Sequence, residues 1–243
     1  MKLRQKIIPA LLGLAITGVL AALAVIFGAY YYLLPSLPSA ETMRDVELQT
    51  PLRVYSRDGR LMAQIGEKRR TPVEYEEIPQ VVIQAFLAAE DDRFFEHPGF
   101  DYQGIMRAAL NLMITGSRSQ GGSTITQQLA RVYFLTRERT FIRKAKELIL
   151  AVQIESEFSK EEILALYLNK IFLGQRAYGA GAAAEVYFGK PLQEVSIAEA
   201  ATIAGLPKAP SNLNPVTNPV ASRERRAYVL RRMFELDFIE RDQ

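Results

Sequence analysis

Two glutamates, a band of cations and a glycine-led polar segment are the parts of this sequence that could do chemistry. Glu90 closes the apolar run "VVIQAFLAAE", and on a helix its neighbours at i−3, i−4 and i−7 are Leu87, Phe86 and Ile83. A carboxylate set against apolar side chains is pushed toward its neutral form, which suits general acid or base work near neutral pH. The plainer alternative is a helix-end acid paired with Arg93 at i+3. Asp91 and Asp92 follow at once but face elsewhere. Glu147 is the second candidate, and Arg143 and Lys144 at i−4 and i−3 read equally well as its partners on a helix surface. Arg131, Arg137, Arg139, Arg143, Lys144 and Lys146 crowd one short stretch, opposed only by Glu138 and Glu147. Such a cluster is either a solvated face or a cradle for a phosphate-bearing head group. In "QGGSTITQQLAR", Gly121 and Gly122 let the backbone come close to a ligand, and Ser123, Thr124, Thr126, Gln127 and Gln128 supply donors and acceptors. A glycine-rich entry to a helix N-terminus favours anions, yet no Gly-Lys-Ser/Thr follows, so it is not a nucleotide phosphate loop. His97 reads as a packing or hydrogen-bonding residue in a loop.

Composition narrows the chemistry. The 243 residues hold no Cys and one His, which excludes a Cys/His zinc site, a cysteine nucleophile and a disulfide scaffold. Any Ser-His-Asp triad would have to use His97. Lys+Arg is 30 against Asp+Glu 27, a net +3 without the long basic runs of a nucleic-acid binder. The 49% of hydrophobic residues is ample for a packed core.

The elements that must position these groups follow from patterning. "MKLRQK" carries Lys2, Arg4 and Lys6, and no charge occurs from Ile7 to Ala40. That apolar run exceeds the roughly 20 residues that span a bilayer. Tyr30 to Tyr32 sit where an aromatic belt would meet the far interface, and the basic head keeps the N-terminus cytoplasmic. The expectation is a single uncleaved transmembrane anchor in residues 1–40, with the rest outside the cytoplasm at the inner membrane. Residues 41–75 read as a linker with a β-hairpin, "LRVYSRDGRLMAQIG", turning at Asp58-Gly59. Residues 76–243 read as mainly α. "PQVVIQAFLAAEDDRFF" forms a buried helix, and "DYQGIMRAALNLMI" an amphipathic one. "STITQQLARVYFL" is capped by Ser123, and "TFIRKAKELILAVQIESEF" is a long helix. "SKEEILALYLNKIFL" and "SIAEAATIAGL" open with the capping boxes Ser159–Glu162 and Ser196–Glu199. "ASRERRAYVLRRMFELDF" forms the last helix.

Taken together and in order, "EDDRFFEHPG", "GGSTITQQLAR", "RTFIRKAKE" and "SKEEILALYLNKIFLG" closely resemble the motifs of the family 51 peptidoglycan glycosyltransferases. These form the N-terminal half of class A penicillin-binding proteins and also occur as monofunctional enzymes. "RAYGAGAAAEVYFGK" and "IAGLPKAPSNLNP" extend the likeness, so that it covers about Val73 to Asp237. The upstream "LQTPLRVYSRDGRLMAQIGEKRRTPV" looks like the region before that domain in one class A subtype. The resemblance implies a lysozyme-like, mainly α fold with a membrane-associated jaw, made by "DYQGIMRAALNLMI" and the loop after it. It implies that lipid II is polymerised into β-1,4-linked glycan strands, with inversion and release of undecaprenyl diphosphate. By motif match, Glu90 is the general base and Glu147 the second essential carboxylate, positioning the donor diphosphate or helping to hold a divalent metal, Mg or Mn. Arg131, Arg139, Arg143 and Lys144 match positions that bind the diphosphate, and Ser123, Gln127, Gln128 and Asn169 match positions lining the cleft. The implied partners are lipid II, the growing strand, the membrane and regulators of cell-wall synthesis.

One position departs from the family pattern: Val132 stands where Asn is common. The marks of a penicillin-binding transpeptidase, Ser-x-x-Lys and Lys-Thr-Gly, do not occur. The expectation is therefore a class A chain cut before its transpeptidase, with a monofunctional enzyme as the alternative. A lysozyme-like muramidase would also use a glutamate, but it has no diphosphate to expel and no need of the cationic cluster. A membrane-anchored scaffold with a degenerate site is the non-enzymatic alternative.

Overall fold

A computed structural model describes residues 13, 16–18, 20, 21, 24, 25, 27–44, 52–66, 69–115, 122–134 and 140–240. The chain divides into two compact units, Met1–Ser39 and Ala40–Gln243. In the first, residues 27–33 are helical and run into a 3-10 turn, Leu34–Ser36, with a proline in its first turn, where the missing N–H leaves no bond unmade. The rings of Tyr30 and Tyr31 meet edge-on at 5.5 Å. The basic head and much of the apolar run read as an anchor lie outside the described residues. Among the described residues no helix is long and apolar enough to cross a membrane.

The second unit opens with a 3-10 turn, Ala40–Met43, whose Met43 is buried against a later helix. Strands β1 (Leu52–Tyr55) and β2 (Leu61–Ile65) then pair antiparallel in the register Leu52↔Ile65 and Val54↔Ala63. A bulge between Val54 and Tyr55 fits the five-residue connection Ser56–Arg60, in which Gly59 takes φ +81°. Helices follow from there: α1 (Gln80–Glu90), α2 (Tyr102–Thr115), α3 (Ile125–Phe134), α4 (Phe141–Glu157), α5 (Lys160–Lys170), α6 (Ala180–Phe188), α7 (Ile197–Gly205) and α8 (Pro219–Glu235).

Two packed groups make the core. Helix α1 is buried along Val82, Ala85 and Phe86 against the alanine-rich α7 and against α8. Helix α3 is buried between α4 and α5, with Ile125, Leu129, Leu150, Ile154, Ile163, Leu164 and Leu168 shut off from solvent. Each such side chain contributes about 1.5–3 kcal/mol by leaving water. Both capping boxes form: Ser159 with Glu162 opens α5, and Ser196 with Glu199 opens α7.

Three helix ends differ from the sequence expectation. Helix α1 stops at Glu90 rather than running on to Phe95, because Asp91 leaves helical geometry (φ −163°, ψ 81°) to serve another element. Helix α3 is not capped by Ser123. Thr124 Oγ1 accepts from Gln127 N at 3.2 Å, and Asp91 Oδ2 accepts from Ile125 N at 2.9 Å. Helix α8 starts earlier than expected, at Pro219, with Asn218 Oδ1 accepting from Ala221 N at 3.2 Å.

Candidate active site

The three consecutive acids after the apolar run go three ways. Glu90, on the last turn of α1, faces a cavity of about 730 Å³ bounded by α1, the start of α2, residues 122–124 and α8. Asp91 is buried, accepts from His97 Nε2 at 3.0 Å and caps α3. Asp92 accepts from Arg232 of α8 at 2.9 Å. Breaking the helix at Asp91 thus lets one stretch of chain present a cavity-facing carboxylate, brace α3 and tie down α8. Arg93 is not the partner of Glu90: it pairs with Glu96 at 2.8 Å and Asp101 at 2.9 Å.

The Glu90 side chain is only 12% exposed. Its Oε2 accepts from Gln128 Nε2 at 2.9 Å, and Oε1 lies 3.7 Å from Arg225. Burial raises its pKa above the ordinary carboxylate value. The bond from Gln128 and the charges of Arg225 and Arg131 pull the other way, and Asp91 adds to the rise. The Gln128 amide is held from behind, since its Oε1 accepts from the Tyr167 hydroxyl at 3.1 Å.

Ser123 joins this cavity to a second group of side chains. It lines the cavity, and its Oγ accepts from Lys144 Nζ at 2.8 Å. Lys144 also donates to Gln127 Oε1 at 2.9 Å and Glu147 Oε2 at 3.1 Å, and Arg143 donates to Glu147 Oε1 at 2.7 Å. Glu147 is 1% exposed, so the two cations compensate a carboxylate that burial would otherwise penalise. The Lys144 side chain is 46% exposed, leaving its ammonium within reach of an anion from solvent. Both carboxylate oxygens of Glu147 face cations, and no group of three metal-ligating side chains occurs among the described residues. That arrangement does not fit a divalent ion at Glu147.

The structure therefore gathers Glu90, Gln128 and Arg131 on one side of Ser123, and Gln127, Arg143, Lys144 and Glu147 on the other. Asn169 stands apart. Its Oδ1 accepts from Val73 N at 2.9 Å and its Nδ2 donates to Val73 O at 2.8 Å, fastening an incoming strand instead of facing the cavity. Arg139 lies outside the described residues. Sequence reasoning missed Arg225, Arg232, Lys208, Arg107 and Tyr167. The arginines of "RERRAYVLRR" are seven apart at Arg225 and Arg232, a same-face spacing that marks them; nothing marks Tyr167, whose role depends on a contact 39 residues away.

The transglycosylase family model matches residues 58–234, and the chain belongs to that family. Its relatives include penicillin-binding protein 1A of Pseudomonas aeruginosa, 55% identical over 228 residues, covering 94% of this chain and 27% of the relative. Penicillin-binding protein 1A of Escherichia coli is 51% identical over 239 residues, covering 98% of this chain and 28% of the relative. The chain thus spans little more than a quarter of the length of these relatives. Among solved structures, the crystal structure of penicillin-binding protein 1A from Haemophilus influenzae aligns with a TM-score of 0.45 and 35% identity, covering 81% of this chain and 20% of that one.

Proposed function

We propose that the chain is a peptidoglycan glycosyltransferase that polymerises lipid II into β-1,4-linked glycan strands. The observation that carries this reading is the placement of Glu90. It is a carboxylate with a raised pKa at the wall of a substrate-sized cavity, and Ser123 links that cavity to the Lys144–Glu147 cationic cluster. In the reaction, the 4-hydroxyl oxygen of the acceptor sugar bonds to C1 of the growing chain as the C1–O bond to the lipid diphosphate breaks. The hydroxyl proton passes to Glu90. Attack from the face opposite the departing diphosphate inverts C1.

A diphosphate leaves without a strong acid if cations meet the charge it gains. Lys144 and Arg143, aimed by Gln127 and Glu147, supply that charge, and Arg131 and Arg139 add to it. Glu147 acts as a positioning carboxylate. The apolar run from Ile7 with its basic head supports a membrane anchor that leaves the catalytic unit outside the cytoplasm. The outer side of α2, where Met106 and Ile114 are exposed, supports a jaw resting on the lipid surface.

The test is Glu90→Gln, assayed as glycan strands on a gel beside a lipid II binding measurement. Strand formation is expected to fall at least about 100-fold, the usual contribution of a general base, with binding retained. Undiminished polymerisation would remove Glu90 from the role.

A further inference from the structure

We infer that Tyr167 is a positioning residue for this reaction: its buried hydroxyl fixes the Gln128 amide so that the NH₂ end faces Glu90. The role rests on the reading of Glu90 as base.

The argument begins with what each group can do. Tyr167, on α5, is 1% exposed, and its ring packs edge-on against Phe86 of α1 at 6.2 Å. Its hydroxyl donates to Gln128 Oε1 at 3.1 Å, and Gln128 Nε2 donates to Glu90 Oε2 at 2.9 Å. An amide has one accepting end and one donating end, and Gln128 is itself buried with both ends engaged. Burial holds the Tyr167 phenol well above its ordinary pKa, so it stays protonated and able to donate. With that donor on Oε1, the amide offers Nε2 to the carboxylate. Without it, Oε1 is left unmade in a buried place, and the amide gains by turning Oε1 toward Glu90. An oxygen there repels the ionised carboxylate and accepts from the protonated one. Tyr167 therefore favours the form of Glu90 that can take a proton.

The groups facing Glu90 are few, which makes the effect readable. They are Gln128 and Arg131 from α3, Arg225 from α8, and Asp91 next in the chain. Tyr167 feels Glu90, Arg131 and Asp91 in turn. Arg131, Arg225 and Asp91 make no hydrogen bond to Tyr167 or Gln128 among those the structure gives, so removing the hydroxyl alters one link only.

The experiment is the pH dependence of kcat/KM for lipid II polymerisation by the full chain. Tyr167→Phe keeps the ring and removes the donor. Its acid limb is expected to move up by about one pH unit, the size of one hydrogen bond to a charge. Replacing Tyr167 by 3-fluorotyrosine, a stronger donor of nearly the same size, is expected to move the limb the other way. Gln128→Met with Tyr167→Phe should shift it no further than Gln128→Met alone, because Tyr167 acts through Gln128. An unmoved limb in the Phe and fluorotyrosine proteins, whatever happens to Tm or kcat, reduces Tyr167 to packing. Additive shifts in the double variant overturn the route through Gln128. Glu90→Gln in the same assay separates the two readings: if it still polymerises, the base assignment fails. If it is dead while the limbs stay put, only the Tyr167 role fails.

Discussion

Glu90 stands where burial opposes its charge, at a cost in stability. Burial raises its folded pKa, so the native state holds its proton more tightly than the unfolded chain does. Its contribution to stability is full below the unfolded value, about 4.3, and is lost as pH rises through the raised folded value. Glu90→Gln removes the charge that burial opposes. Its Tm at pH 7 is expected to exceed that of the parent by about 2–4 °C, with the gap closing as pH falls toward 4. Thermal melts across that range decide it, and a variant less stable at pH 7 would mean that Arg225 and Gln128 outweigh burial. The sequence made Glu90 legible, because an acid at i, i−3, i−4 and i−7 from apolar residues carries its environment in its spacing. It also showed the near-neighbour pairs of Glu147 with Arg143 and Lys144. It could not show that Lys144 reaches Ser123, 21 residues back, nor that Gln128 meets both Glu90 and Tyr167, since those contacts exist only once α1, α3, α4 and α5 have packed.

Helix starts were legible where the local chain supplies its own cap. Ser159–Glu162 and Ser196–Glu199 are self-contained boxes, and the helices begin where they say. Ends decided by another element were not. Asp91 leaves α1 with its carboxylate bonded to Ile125 N and His97, and with Thr124 it takes the cap of α3 that Ser123 was expected to supply. The loop after α1 is locked in the same way. Lys160 donates to His97 O at 2.6 Å and Glu155 Oε1 at 2.8 Å, and Thr126 donates to that same Glu155 oxygen at 2.6 Å, joining α3, α4 and α5. Close approach supplies a test for α6. A Cβ on Gly181 would lie 2.5 Å from Thr71 O, a backbone atom with little room to give. Gly181→Ala is expected to destabilise the unit by about 1–3 kcal/mol, the usual cost of overpacking, read as a lower midpoint in urea. An unchanged midpoint would show that residues 69–73 yield freely.

At the scale of the catalytic unit, α2 is one place among the described residues where apolar side chains meet solvent. Met113 is 84% exposed and Ile114 78%, while Ile105 on the same helix lines the cavity. The chain contains no tryptophan, so Met113→Trp gives a single local reporter. Its emission is expected to shift to shorter wavelength when the protein is placed in anionic lipid vesicles rather than detergent-free buffer. An unshifted spectrum would place α2 away from the bilayer.

The extended segment 69–73 ahead of α1 is held at two points. Arg69 N donates to Arg176 O and Tyr178 N donates to Arg69 O, both at 3.0 Å, and four residues on Val73 is held at both its backbone groups by Asn169. These four bonds hold one short segment at two points, so a pull from the N-terminal side meets the pair at Arg69 first and the pair at Val73 next. The clamp, made by the loop between α5 and α6 and by Asn169 of α5, therefore stands between such a pull and α1.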